Sequence, residues 1–175
     1  MAMQFAISQE DVPLFMLILN DQADIGRGHV VYDSVSTLTV ADDLAPTAKK
    51  ILSDSNWRQQ GLKKDLVAYA SVVRHAREIA GVQIGHLTYS TDREARVHLH
   101  EAEAFVKDDP GASVHWKTTD GTFITLTAGQ VALTAAVVRR HVQRAFSAEA
   151  GALAAIESGT VTTRHQVDSF FAGVG

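Results

Sequence analysis

The sequence predicts an α+β fold: a mainly helical C-terminal domain with a small antiparallel β-hairpin sheet, preceded by a β-rich N-terminal module. Three observations carry this. Apolar residues shift from rough alternation before residue 41 to helical spacing after residue 62. Three quartets of the form Thr-x-x-Glu/Gln, at Thr91/Glu94, Thr127/Gln130 and Thr163/Gln166, mark helix starts in the second part. The dipeptide Asp120-Gly121 sits between two short β-prone runs and favours the positive φ angles of a hairpin turn.

The N-terminal module opens with the apolar run Leu14-Phe15-Met16-Leu17-Ile18-Leu19, which Pro13 and Asn20-Asp21 bound and which reads as a buried strand. From Val30 to Val40, Val30, Tyr32, Leu38 and Val40 fall on even positions with Ser34 and Ser36 between them. That pattern suggests one long strand with a wet face. Asp24-Ile25-Gly26-Arg27-Gly28 is the loop joining the two. Between Asp42 and Asn56, Leu44, Ala48, Ile51 and Leu52 suit a short helix that tolerates Pro46 in its first turn. A boundary between Asn56 and Gly61 separates a module of residues 1–56 from a domain of residues 57–175.

In that domain Leu62, Leu66, Tyr69, Val73, Ala76 and Ala80 recur at helical spacing, and Gly81 is a natural stop. Val82 to Tyr89 is extended, with a turn at Gly85. A second helix starts at the Thr91/Glu94 capping box, buries Ala95, Leu99, Ala102 and Val106, and ends at Asp109-Pro110-Gly111. The hairpin pairs Ser113–Lys117 with Thr122–Leu126. A third helix begins at Thr127 and Gln130, with Leu126 and Val131 as a hydrophobic staple. It turns Val131, Ala135, Val138, Val142 and Phe146 inwards and runs to Glu157 before Gly159. Thr163 and Gln166 open a closing helix through Phe171.

Composition narrows the function classes. With 46% hydrophobic and 21% charged residues the chain reads as globular, not disordered. A net charge of −4 gives no global attraction to nucleic acid or anionic lipid. The absence of cysteine excludes disulfides and thiolate zinc sites. Met1 to Ile7 has no basic segment of a signal peptide, and Leu14–Leu19 is far shorter than the about 20 apolar residues a membrane span needs. Synthesis in a cytoplasm is the expectation, with no membrane and no specific nucleic acid as partner.

No catalytic constellation is expected, and no cofactor. His98-Leu99-His100 with Glu101 and Glu103 resembles a metal cluster, but on a helix an i, i+2 pair cannot share a face. A small metal-dependent enzyme or host-directed effector using His98 and His100 is the alternative that this geometry disfavours. Gly26-Arg27-Gly28 lacks the third glycine and following helix of a nucleotide loop and reads as a plain turn. No Gly-x-Ser-x-Gly elbow is present. Arg139, Arg140 and Arg144 read as a solvated helix face, since no aromatics interleave with them. Asp92 suits a helix N-terminus, and Arg93 is placed to bridge to Asp120 or Glu149. Trp116-Lys117 reads as a hairpin anchor.

Several of these segments join into one pattern: Arg74-x-x-Arg77-Glu78-Ile79-Ala80-Gly81, Ser90-Thr91-Asp92-Arg93-Glu94, and Val114-His115-Trp116-Lys117-Thr118 with Asp120-Gly121. Leu126-Thr127-Ala128-Gly129-Gln130, His141-Val142-Gln143, Phe146 with Glu149, and Ala155-Ile156-Glu157-Ser158-Gly159-Thr160 follow in order. Residues 65–163 thereby resemble a domain of unknown function found in tailed-phage and prophage proteins encoded near tail-fibre and tail-assembly genes. The resemblance implies a non-enzymatic phage protein, made in the host cytoplasm and incorporated in the virion. It would serve as a component of the tail or tail-fibre region or as a tail-fibre assembly factor. Its partners would be other tail or tail-fibre proteins, in a homo-oligomer or larger assembly. The resemblance supplies no catalytic residues. Partner contact is expected at Leu14, Phe15, Leu17 and Leu19, whose strand needs cover beyond its own module, and at Trp116 and Lys117.

Overall fold

The computed structural model describes residues 2–23, 25, 30–33 and 36–174. Along the chain come β1 (Ala2–Ala6), α1 (Val12–Gln22), β2 (Val30–Tyr32), β3 (Thr37–Ala41), α2 (Ala45–Ser53) and α3 (Trp57–Glu78). Then follow β4 (Val82–Ile84), β5 (Leu87–Tyr89), α4 (Arg93–Asp108), β6 (Ser113–Lys117), β7 (Phe123–Thr127), α5 (Ala128–Glu157) and α6 (Arg164–Phe170). The α+β class stands. The chain divides into two units, Met1–Ala68 and Tyr69–Gly175, and the division falls within α3.

The first unit corrects the reading of the apolar run. Leu14 to Leu19 is not a strand but the body of α1, with Pro13 in its first turn, where the missing N–H costs nothing. A short apolar run carries no period, and here the helix formers Leu14, Met16, Leu17 and Leu19 outweigh Phe15 and Ile18. Phe15, Ile18 and Leu19, at i, i+3 and i+4, are fully buried. They pack with Leu38 and Val40 of β3, Ala48 and Ile51 of α2, and Trp57. Trp57 meets Phe15 edge-on at 6.1 Å between ring centroids. A side chain at Gly61 would collide with the Leu14 backbone, its Cβ falling 2.9 Å from the Leu14 carbonyl oxygen, so glycine permits the close approach of α1 and α3.

The predicted long strand from Val30 to Val40 is two strands. They lie in an antiparallel sheet of order β1-β3-β2, with Val30 opposite Val40 and Tyr32 opposite Leu38. Val30, Tyr32, Leu38 and Val40 share a face, because the antiparallel register sets even positions opposite even positions. The Asp33 carboxylate holds that return by accepting the Ser36 and Thr37 amides, each at 2.9 Å. Ser34 and the Gly26-Arg27-Gly28 turn lie outside the described residues.

In the second unit β4 and β5 form a hairpin around Gly85 (φ 64°), and β6 pairs with β7. The β6–β7 connection is a three-residue loop in place of the expected two-residue turn. Thr118 N–H donates to the Thr122 carbonyl at 2.9 Å, and Gly121 (φ 86°) takes the left-handed position. Thr127 and Gln130 form the predicted capping box at the start of α5, and Thr163 and Gln166 do the same for α6. Leu99, Ala102 and Val106 of α4 pack against Leu126, Val131, Ala135 and Val138, with Tyr89 closing the cluster. Phe146, expected inside, is 44% exposed, while His141 and Ala145 are buried.

Candidate functional site

Two polar arrangements stand out in the second unit, one internal and one open. The internal one centres on Glu78, at the end of α3. Its side chain is only 7% exposed and faces two guanidinium groups, Arg74 one turn back and Arg96 of α4, whose Nη1 lies 2.7 Å from Glu78 Oε1. Arg74 also donates to Glu149 of α5 at 3.2 Å and stacks over the Phe146 ring, 4.8 Å from its centroid. That stacking explains why a half-exposed phenylalanine sits there. Nearby, His141 Nε2 donates to the Arg77 carbonyl at 2.8 Å and ties α5 to the end of α3.

Thr91 completes this junction, and its role differs from the predicted one. It is fully buried and is not the cap of α4. Its hydroxyl donates to the Glu78 carbonyl at 2.6 Å and accepts from Gly81 N–H at 3.0 Å, closing the C-terminus of α3. The cap of α4 is Asp92, whose Oδ1 accepts from Ala95 N–H at 2.8 Å. That bond, with a second from the Ser90 hydroxyl, holds the Asp92 carboxyl below its ordinary pKa. The Thr118 hydroxyl and the Thr122 amide lower Asp120 in the same way. Arg93 bridges to neither Asp120 nor Glu149, which are held by these other partners.

The open arrangement is a groove of about 860 Å³ between α4 and the β6–β7 hairpin. One wall is the α4 face that carries Glu94, His98, Glu101 and Phe105; the other is β6 with His115, Trp116 and Lys117, and Phe123 of β7. Trp116 is half-buried and roots the hairpin in the core. Lys117 lies with its Nζ 5.8 Å from the Phe123 centroid. Phe105 is 53% and Phe123 67% exposed, so the groove offers aromatic surface to solvent.

The predicted partner residues are thus distributed unequally. Trp116 and Lys117 line the groove. Phe15 and Leu19 are enclosed by the first unit's own core, and Leu14 and Leu17 are half-buried on the same helix. The uncovered strand that assigned partner contact to those four does not exist. The edge strands of the first unit's sheet are β1 and β2. His98 lines the α4–hairpin groove, whereas His100 lines a different one, of about 290 Å³, between α4 and α5. Among the described residues no group of three or more His, Asp or Glu side chains is placed to hold a metal ion. No described helix is long and apolar enough to cross a membrane.

Sequence reasoning missed the Glu78 cluster, although Arg74 and Glu78 at i, i+4 were a readable helical pair. Arg96 and Glu149 come from other helices, and no local spacing announces them.

Residues 61–169 match the model of a protein family described as Domain of unknown function (DUF4376). The chain belongs to this family. The matched span takes in the Glu78 cluster, the groove and both capping boxes. No curated protein and no solved structure matches the chain.

Proposed function

We propose that this family member is a non-enzymatic, partner-binding protein of a tailed phage. It would act in the tail or tail-fibre region of the virion or as an assembly factor for the tail fibre. The phage setting rests on the resemblance of residues 65–163 to proteins encoded beside tail-fibre and tail-assembly genes. The observation that carries the binding role is how the second unit uses its polar side chains. Arg74, Glu78, Arg96 and Glu149 bind one another; Thr91, Asp92, Asp120, Thr127 and Gln130 close helix ends and turns. All of these serve the scaffold. The open feature beside them is a groove with exposed aromatic residues, which suits recognition of another chain.

Mass spectrometry of gradient-purified particles of the encoding phage tests this reading. Stoichiometric presence in particles supports a virion component. Absence from particles, with co-purification of a tail-fibre protein from infected cells, supports an assembly factor. Absence from both overturns the tail role.

A further inference from the structure

The groove between α4 and the hairpin has an unbalanced charge, and the imbalance identifies its occupant. Glu94, His98, Glu101 and Phe105 stand at i, i+4, i+7 and i+11 and share one face of α4. Glu94 and Glu101 are exposed, and among the described residues neither carboxylate has a hydrogen-bond or ion-pair partner. Glu78, Glu103 and Glu149 of the same unit each meet an arginine. Glu94, in the first turn, is favoured by the helix dipole. Glu101, in the helix interior, has no such compensation. Lys117 is the one lysine or arginine among the groove's lining residues, and it lies against Phe123 on the far wall.

Unpaired carboxylates beside exposed aromatic rings form a setting for guanidinium groups. Arginine can bind a carboxylate through its N–H fork while its plane stacks on a ring, and it loses hydration more readily than lysine. We propose that the groove seats an extended, arginine-bearing segment of a partner protein. One guanidinium engages Glu94 and the other engages Glu101, the latter against Phe105. This rests on the partner-binding reading and specifies the chemistry of the partner.

Spacing supports an extended partner over a second copy of this chain. Seven residues of α4 separate the two carboxylates by a rise of about 10.5 Å. A polyproline-type chain has three residues per turn and rises about 3.1 Å per residue, so arginines three apart share a face with a gap of roughly 9 Å. The exposed pair Arg140 and Arg144 on α5 is one helical turn apart, a rise of about 6 Å on a rigid element, and does not match.

The test uses the full chain and two labelled peptides of proline and alanine, one carrying two arginines three residues apart and the other glutamates at those places. Fluorescence anisotropy at low salt should show saturable binding of the arginine peptide alone, weakening as salt is raised. The double change Glu94→Gln and Glu101→Gln should raise Kd roughly tenfold or more, and Phe105→Ala should raise it several-fold. Circular dichroism of each variant checks that the fold is kept. If the double variant does not fold, the Phe105→Ala and salt results on folded protein decide. The proposal is overturned by no saturable binding, by equal binding of the glutamate peptide, or by folded variants that bind like the wild type. Light scattering that shows a dimer dissolved by the glutamine pair would make the occupant a second copy and overturn it too. Because the virion experiment does not depend on peptide charge, the two readings fail separately.

Discussion

Glu78→Gln is the sharpest perturbation of the scaffold. Glutamine keeps the volume and one acceptor, but it removes the charge that Arg74 and Arg96 share. The carboxylate is 7% exposed, while Arg74 and Arg96 are 18% and 30% exposed. Removing one partner of a buried ion pair costs about 3–5 kcal/mol, because the remaining charge is left desolvated and uncompensated. Here Arg74 keeps Glu149 at 3.2 Å, and Arg96 retains some water. Both place the loss at the lower end, about 3 kcal/mol.

Urea unfolding followed by circular dichroism reads this directly: the midpoint should fall while the slope m is unchanged. In a thermal scan the midpoint should drop by about 10 °C, using a few degrees per kcal/mol for a unit of this size. Glu149→Gln should cost less, about 1 kcal/mol, since Arg74 then keeps its bond to Glu78. A loss below about 1 kcal/mol for Glu78→Gln would refute the reasoning, because that is the worth of a solvent-screened surface pair.

Three further outcomes follow from named bonds. Thr91→Val keeps the shape but strips the hydroxyl from the Glu78 carbonyl and the Gly81 amide; a loss of about 2 kcal/mol in urea melts is expected, and an unchanged midpoint would remove the latch. Thr127→Ala should cost about 1 kcal/mol, with fraying visible as faster amide exchange in the first turn of α5; unchanged exchange there would contradict the cap. Asp92 and Asp120 have lowered pKa values in the folded protein, chiefly from the Ala95 amide and the Thr118 hydroxyl. Their contribution is therefore present above the ordinary carboxylate pKa and lost as pH falls through the lowered folded value. Asp92→Asn with Asp120→Asn should flatten the acid limb of a stability–pH curve, and a curve with its slope intact would refute that assignment.

Where bonding partners are near neighbours in the chain, the sequence was legible. The boxes at Thr127/Gln130 and Thr163/Gln166 join residues three apart, and both stand as read. The Thr91/Glu94 box failed for a reason of the same scale. Two adjacent residues can both cap, and burial of Thr91 under the end of α3 left the cap to Asp92. The run Leu14–Leu19 failed because a uniformly apolar segment has no period, and what decides it is the enclosure of Phe15, Ile18 and Leu19 within the unit's core. Trp116 and Lys117 were legible as candidates because a tryptophan in a short hairpin is conspicuous. The opposite wall of their groove was hidden, since His98 and Glu101 read only as metal ligands, Glu94 only as part of a capping box, and Phe105 carried no signal.

The glutamates show how position assigns role where residue type does not. Glu78, Glu94, Glu101, Glu103 and Glu149 are chemically identical, and three of them, Glu94, Glu101 and Glu103, lie within α4 itself. Pairing divides them: Glu78, Glu103 and Glu149 neutralise arginines of the same unit, whereas Glu94 and Glu101 face the groove without a described partner. The division predicts a double dissociation. Glu78→Gln should lower the urea midpoint strongly and, in the fraction that stays folded, leave affinity for the arginine peptide unchanged. Glu94→Gln with Glu101→Gln should do the reverse, lowering stability by no more than about 1 kcal/mol from the lost helix-dipole contact of Glu94 while weakening peptide binding. If Glu78→Gln, measured where it is folded, weakened the peptide as much as the groove pair does, the carboxylates would act as one field, and the separation of scaffold from docking surface would be wrong.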